Sequence, residues 1–135
     1  QADGTKEEMV LRFFAYLNNY ENFDHSVVEF LNDYMEASSK RFNYEKGEKT
    51  FRAVFAALAQ VFPKGIVKHG VTPQNLFEAI TVGAALAYLN KGYINTDGVA
   101  DWIKDPELVK FTTGATNTRK KVSGRIGYCR ERFER

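Results

Sequence analysis

The stretch from Leu76 to Leu89 constrains the fold more than any other part of the chain, because its only polar side chains are Glu78 and Thr81. A strand of this length is unusual, and a helix that is apolar nearly all round must be buried nearly all round. Thr72 reads as an N-cap with Pro73 at the first helical position, and Asn90 to Gly92 read as a C-terminal glycine stop. The reading is a central helix over about residues 73–90, around which the remaining segments must pack.

Those segments carry helical periodicity and almost no strand alternation. Thr5 and Glu8 form a T-x-x-E capping box, followed by an apolar stripe of Met9, Phe13, Tyr16, Leu17 and Tyr20. Leu11 and Phe14 lie off that stripe, which implies cover on more than one side. A second box, Ser26 with Glu29, opens a helix with the stripe Val27, Phe30, Leu31, Tyr34 and Met35. The polar run Ser38 to Gly47 reads as a loop. A third helix over about Glu48 to Phe62 carries Phe51, Val54, Phe55, Leu58 and Phe62, and Pro63 ends it. The segment Pro63 to Gly70 reads as a turn. Beyond the central helix, short helices are expected near Gly98 to Lys104 and Pro106 to Phe111, then a loop over Thr112 to Thr118. A last helix follows over about Asn117 to Glu134. The expected architecture is all-α: a compact bundle of five main helices plus one or two short ones, packed around the central helix as a single domain over residues 1–135.

Composition narrows the function classes. A chain of 135 residues with 44% hydrophobic and 27% charged residues is long enough for one domain with a core. Its single cysteine, Cys129, excludes an intrachain disulfide and fits a reducing, cytoplasmic setting. No apolar run approaches the roughly 20 residues that a membrane span needs. The two histidines, His25 and His69, stand alone at expected turns, with no cluster of the kind that holds a metal. Cys129 falls on an apolar stripe with no histidine near it in sequence, so it reads as a buried structural thiol. Gly47-Glu48-Lys49-Thr50 lacks the first glycine and the preceding strand of a phosphate loop. These observations lead to no expected catalytic residue, metal or cofactor. Most of the rings fall on helical stripes, which assigns them to the core.

The last helix is the one segment with a functional case. Residues 119–135 hold seven Lys/Arg and two Glu, while the other 118 residues hold twelve basic and fifteen acidic residues. Val122, Ile126, Cys129 and Phe133 make a narrow core stripe. Lys121, Arg125, Tyr128, Arg132 and Arg135 share a sector of roughly 80° beside it. Arg119, Lys120 and Arg130 add charge elsewhere. Such a face suits a phosphate backbone, because each Lys/Arg contact releases counterions. The alternative is a solvated face with Glu131 and Glu134 as intrahelical partners. The candidate nucleic-acid-binding residues are Lys121, Arg125, Tyr128, Arg132, Arg119 and Lys120.

Two blocks, EEMVLRFFAYLNNYENFDHSVVEFLNDYM over residues 7–35 and DPELVKFTTGATNTRKKVSGRI over residues 105–126, resemble the C-terminal helical half of the domain-of-unknown-function family 262. In that family a segment like LRFFAYL and then FLNDYM precede a closing segment ending in Arg-Ile, here Arg125-Ile126. The family's first half is ParB/sulfiredoxin-like, and some members carry an HNH-type nuclease and act in bacterial restriction or phage defence, as in GmrSD-type proteins. This sequence has neither the Asp-Gly-Gln-Gln-Arg-type motif of that first half nor an HNH motif. The resemblance implies a non-catalytic helical domain of a longer protein. It would serve as scaffold and DNA-facing surface, with the missing N-terminal ParB-like domain and DNA as partners. A stand-alone protein-interaction or oligomerisation module remains the alternative.

Overall fold

The structure, a computed structural model, describes residues 5–41, 43–66, 73–115 and 117–135. His69, the expected cap Thr72 and the Thr5 side chain of the first capping box lie outside the described residues. Seven α-helices occur among the described residues, with no strand: α1 (Thr5–Asn19), α2 (Val27–Arg41), α3 (Tyr44–Val61), α4 (Gln74–Lys91), α5 (Val99–Trp102), α6 (Pro106–Thr112) and α7 (Arg119–Phe133). A 3₁₀ turn over Tyr20–Asn22 extends α1. The all-α helical bundle expected from the periodicity is the observed fold.

Helix α4 is the hub, as its composition requires. Leu76, Ala87 and every residue from Glu78 to Ala85 are buried. α1, α3 and α7 all pack on it, and its interface with α7 is the most extensive in the molecule. The helix ends where Gly92 adopts φ 82° and donates its N–H to the Tyr88 carbonyl. A left-handed residue at that point closes the last turn, and glycine takes that conformation without a Cβ clash. At the other end Pro73 occupies the N-cap position, one residue before the first helical position expected for it.

The stripes read from the sequence mostly face inward. Phe13, Tyr16 and Leu17 of α1, Phe30 and Tyr34 of α2, and Val54 and Leu58 of α3 are buried. The rings interlock edge-on and stacked: Phe13 meets Phe51 at 5.8 Å and Tyr16 stacks on Phe30 at 5.0 Å between centroids. Met35 departs from its stripe and is half exposed.

The largest difference from the expected layout lies between α2 and α3. The polarity of the run from Ser38 to Gly47 predicts a loop. Instead α2 continues to Arg41, and α3 begins at Tyr44. The physical reason is capping. Asn43 accepts a hydrogen bond from the Lys46 N–H at 3.0 Å, which satisfies an orphan donor and starts the helix four residues earlier. Gly47 to Thr50 consequently sit inside a helix, which removes the loop that a phosphate-binding reading would need. The cap expected at Ser26 is present, its hydroxyl accepting from the Glu29 N–H at 3.2 Å.

Candidate nucleic-acid interface

Helix α7 starts at a cap and rests on α4. The Thr118 side chain accepts from the Lys121 N–H at 3.2 Å. Val122, Ile126, Cys129 and Phe133 are all buried, as their spacing predicts. The approach to α4 is close enough that a Cβ added at Gly83 would stand 2.7 Å from the Cys129 Cβ. Burial pushes the Cys129 thiol well above its ordinary pKa, as expected of a structural rather than a nucleophilic sulfur.

The structure divides the six candidate residues into three groups. Arg125 belongs to the interior: it is 1% exposed and donates to the Phe111 carbonyl at 3.3 Å. Its placement on an outward basic strip is therefore corrected. The helical wheel contains the reason, since Arg125 lies at the edge of the basic sector only roughly 40° from the direction of Cys129. Burial draws its pKa down from the usual guanidinium value, and the charge of Glu78 acts in the opposite sense.

Glu78 is the residue whose role the sequence left unassigned. It lies in the apolar centre of α4, and Arg12 of α1 grips it bidentately, Nε donating to one carboxylate oxygen and Nη2 to the other at 3.1 Å. Burial works against the Arg12 charge, but the hydrogen bond and charge of Glu78 more than offset it, so its pKa is raised. The Tyr16 hydroxyl is buried with no hydrogen-bond partner among the described residues. Burial, and secondarily the charge of Glu78, push its pKa up to about 12. A lone carboxylate in an apolar helix was the available signal, because a buried charge needs a partner from a neighbouring element.

Tyr128 and Arg132 form the second group, tied to the corner made by α5 and α6. Asp105 caps α6 by accepting from the Glu107 N–H at 3.0 Å and also accepts the Tyr128 hydroxyl hydrogen bond. The Arg132 guanidinium lies over the Tyr128 ring at 3.7 Å from its centroid and 3.6 Å from the Asp105 carboxylate. The bond from Tyr128 holds the Asp105 pKa below the usual carboxylate range. Trp102 packs edge-on against both Tyr128 and Phe133.

Arg119, Lys120 and Lys121 form the third group, at the turn that opens α7. Arg119 donates to the Phe23 carbonyl at 3.1 Å and keeps most of its side chain in solvent, with Asp24 3.9 Å away. Lys120 is exposed. Lys121 donates to the Thr113 carbonyl at 2.7 Å. At the far end of the helix, Arg130 pairs with Glu134 and Arg135 with Glu131, the intrahelical partners considered above.

Among the described residues no group of three His, Cys, Asp or Glu is placed to hold a metal, and no helix is long and apolar enough to cross a membrane. His25 is exposed, with Asp24 3.1 Å away. Comparison with family models, curated proteins and solved structures yields no match for this chain.

Proposed function

We propose that this chain is a non-catalytic helical domain of a cytoplasmic protein resembling the domain-of-unknown-function family 262. In this reading it acts as a scaffold beside a ParB-like domain and touches nucleic acid through the basic turn at Arg119, Lys120 and Lys121. The observation that carries the reading is where the charged side chains go. Arg12 and Glu78 tie α1 to α4 and Arg125 ties α7 to α6, while Arg119 and Lys120 in the opening turn of α7 keep their charge toward solvent. Three cations on one turn give a small phosphate-contacting surface, which favours sequence-independent contact over base reading.

The test is fluorescence anisotropy of a labelled DNA duplex titrated with the protein across a salt series. Arg119→Ser with Lys120→Ser should weaken binding several-fold and reduce the salt slope by roughly 2, about one unit per lost phosphate contact. Circular dichroism of the variant should match the parent. Absence of binding by the parent chain at low salt would remove nucleic acid from the reading.

A protein-interaction role is the second reading, and a different surface favours it. Val10 and Tyr44 are exposed beside the half-buried rings of Phe14 and Phe51, and together they line an apolar groove between α1 and α3. An apolar patch of this kind suits a protein partner. Concentration-dependent sedimentation that disappears in Tyr44→Ser would support self-association through it.

A further inference from the structure

A second groove lies on the other flank of α1, where α2 and α3 meet it, and encloses about 400 Å³. That volume falls in the range of small-molecule sites, which pair an apolar wall with a few convergent polar groups. Here Phe14, Leu17 and Leu89 supply apolar surface. Tyr34, Asn43, Lys46 and Thr50 supply polar groups, and among the described residues no carboxylate lines the groove.

The polar groups have donors left over. Asn43 uses its Oδ1 to cap the Lys46 N–H, which leaves its amide NH₂. The Tyr34 hydroxyl accepts from Asn18 at 2.8 Å, which leaves its own proton. Thr50 is 2% exposed, lines the groove, and its hydroxyl has no hydrogen-bond partner among the described residues. That hydroxyl opens onto the groove, where a ligand can use it as both donor and acceptor. Lys46 brings a full positive charge, and it stands in the first turn of the 18-residue α3, where the helix dipole favours an anion.

We propose that this groove binds a small organic anion. Its carboxylate or phosphate head would sit at Lys46, Asn43 and Thr50, and a flat apolar body would lie against Phe14, Leu17 and Leu89. The proposal rests on the groove alone and is independent of what α7 contacts.

Calorimetry and amide chemical-shift mapping with three probes test it: naphthalene-2-carboxylate, adenosine monophosphate and inorganic phosphate. At least one of the two ring-bearing anions should bind and shift the amides of Asn43, Lys46 and Thr50. Comparison of the two separates a carboxylate from a nucleotide head. Inorganic phosphate alone should bind at least about tenfold more weakly, since it cannot use the apolar wall. Lys46→Gln and the near-isosteric Thr50→Val should each lower affinity by about tenfold while leaving the thermal midpoint close to that of the parent. The proposal fails if neither ring-bearing anion shifts those amides at millimolar concentration. It also fails if both folded variants bind as the parent does.

Discussion

Gly83 and Cys129 mark the point where the two most intimate helices of this protein come together. A methyl group on Gly83 would overlap the Cys129 Cβ at 2.7 Å and the Arg130 backbone nitrogen at 2.9 Å. Gly127 lies on the same α7 yet has nothing within 4 Å of the position a Cβ would take. The same substitution should therefore have opposite signs at the two sites. Gly83→Ala should destabilise by about 1–3 kcal/mol through overpacking, even though alanine is the better helix former. Gly127→Ala should stabilise by about 0.5–1 kcal/mol. Urea denaturation of the two variants checks both values, and equal shifts would refute the close α4–α7 approach.

The Arg12–Glu78 pair should be intolerant of losing one member. Glu78→Gln strands a guanidinium whose side chain is 11% exposed, and a loss of about 3–5 kcal/mol is expected. Replacing both residues by Met should cost less than Glu78→Gln alone, because Arg12 is then no longer stranded, while Arg125 loses the charge of Glu78 in both variants. The comparison is a double-mutant cycle read by chemical denaturation. Arg125→Glu belongs to the same experiment: loss of DNA binding in that variant would report unfolding rather than a missing phosphate contact.

Alkaline pH should loosen the fold through its buried phenols. Tyr16 and Tyr128 have folded pKa values of about 12 against an ordinary value of 10.0. For Tyr128 burial is the main cause and its bond to Asp105 the next. Between those values the unfolded chain has released protons that the native state still holds. Stability therefore falls as pH rises from about 10 toward 12 and is unaffected by these groups below that window. Tyr16→Phe removes a buried hydroxyl with no partner among the described residues, so stability at neutral pH should be unchanged or higher by about 1 kcal/mol. The decline above pH 10 should also become shallower. Urea midpoints at pH 8, 10 and 11 for parent and variant decide it.

The Cys129 thiol should be silent while the chain is folded. It is fully buried, and burial keeps it protonated. Reaction with a colorimetric disulfide reagent at pH 8 should proceed at the rate of unfolding and become immediate in denaturant. A fast native reaction would contradict the burial.

How much of this was legible beforehand follows the reach of each signal. Local periodicity located α1 and α7, because Phe13 and Ile126 repeat with neighbours on their own helix, and unbroken apolar composition located α4. Local chemistry located the cap at Ser26, whereas Thr118, which reads as the end of a loop, caps α7. Polarity misled at Ser38 to Gly47, since a solvated helix and a loop share the same composition and only the Asn43 cap separates them. Arg125 misled because a wheel describes one helix, whereas burial depends on what α6 lays over it. The pairing of Arg12 with Glu78 spans 66 positions and has no local signature. The groove at Thr50 is likewise made by four helices, α1 to α4, whose crossing no single segment encodes.

The place of α4 in this bundle also has a consequence for how the chain is made. Its main cover is α7, which leaves the ribosome last among the helices described. The interval between the emergence of Lys91 and that of Phe133 is roughly 2–8 s at ordinary elongation speeds. During that interval the most apolar helix of the protein waits without its principal neighbour. Nascent chains halted in this window should be held by chaperones that recognise bare hydrophobic helices, and should be let go once Phe133 is available to dock.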